Sequence, residues 1–293
     1  MDYIKPILRT QKAVYQAISA RVRDEQFNRW SDRESYRALN DSISEWGARV
    51  FVPYIYTIPG GLSATTTTYT LPSYIPTDIQ PQRYVSRWWE INQDLQEDDT
   101  GYIWVDIQQW NLEPNNTGAQ TLRIERFGNV DARVLWWGEN GFIPDEIQEL
   151  STDIDEDDTT LIIAGQPNIS DVGFIKIDNE WMQYAGVTQS SETTTLSGLV
   201  RGYEGTAAQH AAAVEVLFGV AMPNIRLWAQ LQNQMRQHLH EIVMTASSVE
   251  ETQQHQWQMR WFQQQAESFW MNHVPNRAPK IKISRQSTGG ALI

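Results

Sequence analysis

Apolar residues change their spacing twice along the chain, from a helical period to a strand period and back. Ile7, Val14, Ile18 and Val22 share one helical face, and Pro6 places the start of that helix near residue 6 or 7. Ser31 and Glu34 form a capping box. After it, Tyr36, Leu39, Ile43, Trp46 and Val50 step by three and four, which predicts a second helix ended by Gly47 and Pro53.

From Phe51 to Met222 the texture is that of strands and turns. Residues 54–58, 65–69, 102–107, 121–127 and 132–137 are β-branched or aromatic and alternate as half-buried strands do. Residues 173–177 and 180–184 flank Asp178-Asn179, a pair that tolerates left-handed backbone angles, so a hairpin with a two-residue turn is expected there. Residues 214–218 close the β region. Pro223 then opens a return to helix. Trp228, Leu231, Met235, Ile242 and Ala246 form one stripe, with Leu239 beside it. Ser247 and Ser248, with Glu250 and Glu251 three residues on, offer a second capping box and predict a break into a further helix. That helix carries Trp257, Trp261, Phe262, Phe269 and Trp270, and Pro275 and Pro279 stop it.

This order predicts an α+β fold: a helical bundle formed by the N- and C-terminal segments, a large antiparallel β insertion, and an extended C-terminal tail. The expected divisions are 1–50, helices of the bundle; 51–150, the first β part; 151–222, a second, small β module; 223–273, the returning helices; and 274–293, the tail. Neither the stripe through Tyr36, Leu39, Ile43 and Trp46 nor the one through Trp228, Leu231, Met235 and Ile242 can be buried alone, so the two should meet.

Charge sharpens this division. The 293 residues carry a net charge of -13, with no cysteine and 13 tryptophans. Acid is concentrated between residues 51 and 222, while 223–273 is almost neutral and 274–293 carries four bases and no acid. Eleven glutamines fill the polar faces of 223–273, unusual for a helix meant only for solvent. Packing within the chain and packing between subunits both fit those faces. Without cysteine there are no disulfides, thiolate catalysis or sulfur-ligated zinc. No apolar run is long enough to span a membrane, and the first residues lack the pattern of a secretory signal, so synthesis in the cytosol is expected.

Motifs for chemistry are scarce. There is no Gly-Lys-Ser/Thr phosphate loop, no Gly-x-Ser-x-Gly elbow and no zinc-protease helix motif. Asp153-Ile-Asp155-Glu-Asp157-Asp158 begins like a calcium loop, but Asp158 stands where glycine is needed and Ala164 where the bidentate glutamate is needed. A solvated acidic linker is the expectation. The five histidines read as ordinary surface or interface residues, and His238 and His240, two apart, cannot share a metal from one helix. No catalytic residue, cofactor or metal site is therefore expected. The pairs Trp88-Trp89 and Trp136-Trp137 each point to both faces of a strand, one side for a core and the other for a second layer, a subunit or a sugar. In the tail, Ile281 and Ile283 alternate with Lys280 and Lys282, flanked by Arg277 and Arg285. This pattern suits a strand added to a partner's sheet edge, its isoleucines in pockets and its bases against acids.

Two stretches carry a family resemblance. Residues 31–41, running to Trp46-Gly-Ala-Arg49 and followed by Tyr69-Thr-Leu-Pro72, resemble head-to-tail adaptor proteins of tailed bacteriophages, of the tail tubular A-like kind. Residues 173–182, then Arg201-Gly-Tyr-Glu-Gly-Thr206 and His210, resemble a β module recurring in phage virion proteins. The resemblance implies a structural, non-enzymatic virion protein at the neck. It would form a ring of identical subunits matching a dodecameric portal, bound to portal and to tail or neck proteins, around passing DNA and away from membranes. Residues 277–285 would reach the portal. The β segment is larger than in the compact adaptors, and a tail-associated carbohydrate-binding or glycan-cleaving protein is the other class that its tryptophans suit.

Overall fold

The computed structural model describes residues 5–21, 30–46, 49–75, 86–90, 104–106, 110–114, 120–124, 132–244 and 249–272. The chain begins with β1 (Ile7–Thr10), α1 (Gln11–Arg21) and α2 (Asp32–Trp46). Strands β2 (Val52–Thr57), β3 (Thr68–Thr70), β4 (Ser86–Glu90), β5 (Trp104–Asp106), β6 (Trp110–Pro114), β7 (Gln120–Ile124) and β8 (Ala132–Gly138) follow. Next come β9 (Gln148–Glu149), β10 (Thr160–Ala164), β11 (Val172–Ile177), β12 (Glu180–Ala185), β13 (Val187–Gln189), β14 (Thr193–Ser197), β15 (Val200–Glu204) and β16 (Glu215–Met222). Helices α3 (Ile225–Met244) and α4 (Val249–Asn272) complete the described chain. The fold is mixed α and β, and the strand pairs among the described residues are antiparallel.

The helix expected from residue 6 or 7 starts later. Ile7–Thr10 is a strand paired with Met222–Gly219 of β16, and Thr10 caps α1 by accepting the Ala13 N–H at 3.1 Å. The edge of β16 needs backbone partners, and an extended segment after Pro6 supplies them, which overrides the apolar period through Ile7. The starts of α2 and α3 follow their caps, while Ser247 and Ser248, expected to cap the last helix, lie outside the described residues. Ser31 and Glu34 exchange hydrogen bonds at 2.8 and 3.2 Å, and Asn224 Oδ1 accepts from the N–H groups of Arg226 and Leu227.

The central sheet runs β1-β16-β11-β12-β15, with β9 also on β16. Its inner strands β16, β11 and β12 are largely buried on both faces, and period two sorts the residues of the sheet between two cores. Ile175, Ile177, Met182, Phe218 and Val220 join a core shared with Tyr36, Leu39, Ile43 and Trp46 of α2 and Trp228, Leu231 and Met235 of α3. Phe174, Trp181, Tyr203 and Ala221 face a second core with Tyr54, Leu122, Val134 and Trp136. That core belongs to the sheets β2-β8-β4-β5 and β3-β7-β6. Gly219 makes room between them, since a Cβ there would lie 2.3 Å from the Trp181 ring. The α2 and α3 stripes meet, with Trp46 Nε1–H donating to Gln234 Oε1 at 3.3 Å and Trp30 Nε1–H to the Leu239 carbonyl at 3.2 Å. They meet over the sheet and share its core.

Side-chain amides join the layers. Gln183, fully buried on β12, accepts from the Ile55 N–H at 2.8 Å and donates to the Ile55 carbonyl at 2.6 Å. Asn140 makes the same pair of bonds with Ala221, and Asn40 with Ile143. The contribution of Gln183 is testable. In Gln183→Glu the carboxylate cannot donate to the Ile55 carbonyl, and a charge is buried between sheets. A loss of about 3 kcal/mol or more in urea unfolding is expected, against about 2 kcal/mol for Gln183→Leu, which leaves the Ile55 groups unpaired.

Candidate functional site

The β module centred on β11 and β12 is organised around a buried carboxylate. Asp178 takes φ +50°, so the Asp178-Asn179 turn closes as the sequence predicts and sets Glu180 as the first residue of β12. Arg201, on β15 beside it, approaches in a forked pose, Nε to Oε1 at 2.8 Å and Nη2 to Oε2 at 2.9 Å. The Gly202 N–H donates to Oε1 at 2.9 Å and the Ala208 N–H to Oε2 at 3.2 Å. His210 Nε2 donates to Oε2 at 2.9 Å, while its Nδ1 lies 3.1 Å from Asp178 Oδ2. Arg201 also donates to the carbonyls of Asp155 and Ala208.

The loop between Arg201 and His210 reaches this geometry through glycine. Gly202 and Gly205 have positive φ, and a Cβ on Gly205 would lie 2.6 Å from the Asn179 carbonyl oxygen. Burial pushes the Glu180 carboxyl pKa up, but the hydrogen bonds from Arg201, His210 and Gly202 and the Arg201 charge outweigh it and hold the group below the usual carboxylate range. Five donors, all between Arg201 and His210, converge on its two oxygens, so Glu180 anchors that loop to the hairpin.

Two sequence expectations are corrected at this point. The histidines are not all surface residues, because His210, His240 and His255 are buried. Their partners come from distant strands and helices, which local sequence does not display. Residues 153–158 form a built turn instead of a linker, with Asp153, Asp155, Glu156 and Asp157 solvated as expected. Ile154 is buried and bridged to His210, Asp155 N–H donates to Asp158 Oδ2 at 2.7 Å, and Asp153 Oδ1 accepts from Ala212 N–H at 2.7 Å. Among the described residues there is no cluster of three metal-ligating side chains.

The residues expected to act at interfaces separate into distinct groups. Tyr36, Leu39, Ile43, Trp46, Trp228, Leu231 and Met235 are buried within the chain, and Ile242 is half-buried. Trp136 is the core-facing member of its pair, buried and stacked on Tyr54 with ring centroids 4.9 Å apart. Trp137, its neighbour on the other face of β8, is half-buried. Trp88 and Trp89 lie in β4, opposite Asp106 and Val105 of β5. Trp257 and Trp261 on α4 stay 68% and 45% exposed, so packing within the described chain does not account for them. Arg277, Lys280, Ile281, Lys282, Ile283 and Arg285 lie outside the described residues. Also among the described residues, no helix is long and apolar enough to cross a membrane.

No family model, curated protein or solved structure matches the chain. The site therefore has to be read from its own geometry.

That geometry predicts acid sensitivity. A carboxyl held below its unfolded value, near 4.5, contributes its full stability above that pH and loses it as the pH falls through the lower folded value. Glu180→Gln puts an amide donor among donors and leaves Arg201 buried without its counter-charge. A loss of about 3–5 kcal/mol at neutral pH is expected, with a weaker dependence of stability on pH below about 4.5, both read by chemical denaturation across a pH series.

Proposed function

We propose that the chain is a structural virion protein of a tailed bacteriophage, a head-to-tail adaptor whose copies form a ring between portal and tail or neck. The observation that carries this reading is the exposed aromatic pair Trp257 and Trp261 on a helix that carries seven glutamines. Large aromatics left in water beside neutral side chains suit a surface covered by another protein. The resemblance of the short motifs at 31–41, 46–49 and 69–72, and at 173–182, 201–206 and His210, to adaptor and virion modules gives the partner its class.

Three further features support the reading. The Glu180 centre fastens the acidic turn, the hairpin and the 201–210 loop into one rigid unit, as a load-carrying subunit requires. Acid concentrated between residues 51 and 222 would repel DNA, so a channel lined by it would let the genome slide. The basic segment with Ile281 and Ile283 has the composition of a strand that adds to a portal edge.

Removing residues 276–293 tests the docking role. The shortened protein is expected to keep its helix content and to melt within a few degrees of the full chain, yet to be missing from assembled particles by immunoblot and labelled electron microscopy. Normal incorporation of the shortened protein would remove the docking role. Absence of the full-length protein from purified particles would remove the adaptor reading itself.

A further inference from the structure

Helix α4 carries two rows of side chains at the same spacing. His255, Met259, Phe262, Ala266 and Phe269 step by four and three and turn inward, buried or half-buried. Two residues further on, about 200° round the helix, Trp257, Trp261, Gln264, Ser268 and Met271 repeat the rhythm. All five of these are exposed among the described residues, Met271 to 84%. The outer row has the positions of a coiled-coil seam. Arg260 and Glu267, one heptad apart and both exposed, lie along one flank of it, and Gln258, Gln265 and Asn272 along the other.

We propose that this outer row is a homotypic interface, on which α4 of a second copy lies antiparallel with Gln264 at the two-fold axis. In that register Trp257 faces the partner's Met271, and Trp261 packs beside the partner's Ser268. Antiparallel helices bring like flanks together, so Arg260 meets the partner's Glu267, and the pair occurs twice by symmetry. A parallel pair would set Arg260 against the neutral flank and make no ion pair. The charge pattern thus selects both the orientation and the occupant, because this face complements itself.

Global charge favours the same contact. Two copies at -13 each repel, and the helical segment 223–273 is where the chain is nearly neutral. Four tryptophans and two methionines would leave water together. With roughly 150–250 Å² available per large aromatic, the pair reaches on the order of 1,000 Å², the scale of a specific interface. Two-fold pairing closes on itself, so the dimer describes the free protein and would have to part before the same face could serve a ring.

Sedimentation equilibrium of the full chain over a micromolar concentration series tests the pairing. Wild-type protein is expected to be dimeric, and Trp257→Ser/Trp261→Ser monomeric with an unchanged far-ultraviolet circular dichroism spectrum. Arg260→Glu should raise the dimer dissociation constant roughly tenfold, since two ion pairs become two repulsions. Adding Glu267→Arg should restore it to within about threefold of wild type. A monomeric wild type, a double-tryptophan variant that still dimerises, or a charge reversal that fails to restore affinity would each overturn the proposal.

Discussion

Bidentate pairing between a side-chain amide and the backbone of a single residue holds the layers of this protein together. Gln183 binds both polar groups of Ile55, Asn140 those of Ala221, and Asn40 those of Ile143. A carboxamide presents one donor and one acceptor at the spacing of a peptide group, so it continues a hydrogen-bond ladder where no strand can follow. The requirement is severe in this fold. The central sheet is covered on both faces, so an unpaired backbone group at a layer boundary would be buried away from water at a cost of about 1–3 kcal/mol. Each amide also fixes where one layer sits on the next, which apolar contact alone would leave free to slide.

The Glu180 centre solves a similar problem for loops. A buried carboxylate is costly unless its lone pairs are filled, and here Arg201, His210 and two backbone N–H groups fill them. The charge is tolerated because the 201–210 stretch closes over the hairpin that carries it, and both are ordered by the same bonds. Arg201 then ties in the 153–158 turn through the Asp155 carbonyl. Acidic residues that would otherwise repel one another are thus held close to a guanidinium, although the surrounding surface remains strongly negative. Such a centre favours one conformation over many, which suits a protein whose proposed work is to hold shape within an assembly.

Against that rigid body, α4 stands out. Its inner row packs toward α3, where Phe262 stacks on His240 with ring centroids 5.8 Å apart, and its outer row is left facing water. A helix apolar on two opposite sides cannot satisfy both within a single layer. Nothing among the described residues covers the second side, and a partner molecule seated there would link the fold to the assembly function proposed for it.

Features governed by neighbours in the chain were legible in the sequence. The Ser31–Glu34 capping box, the Asp178-Asn179 turn, the stripe from Tyr36 to Trp46 and the one from Trp228 to Met235 all have their partners within a turn or two, or follow from period alone. The remaining features rest on partners far along the chain. Ile7–Thr10 reads as the first turn of a helix until β16, more than two hundred residues away, presents an edge to be paired. His210 reads as a surface residue until Glu180 and Ile154 close over it. Trp136 and Trp261 are the same residue type in aromatic-rich stretches, yet one is buried under Tyr54 and the other stays in water. Spacing along a chain determines which side of an element is apolar, but whether that side is covered depends on which other element arrives there, and that is a property of the assembled layers.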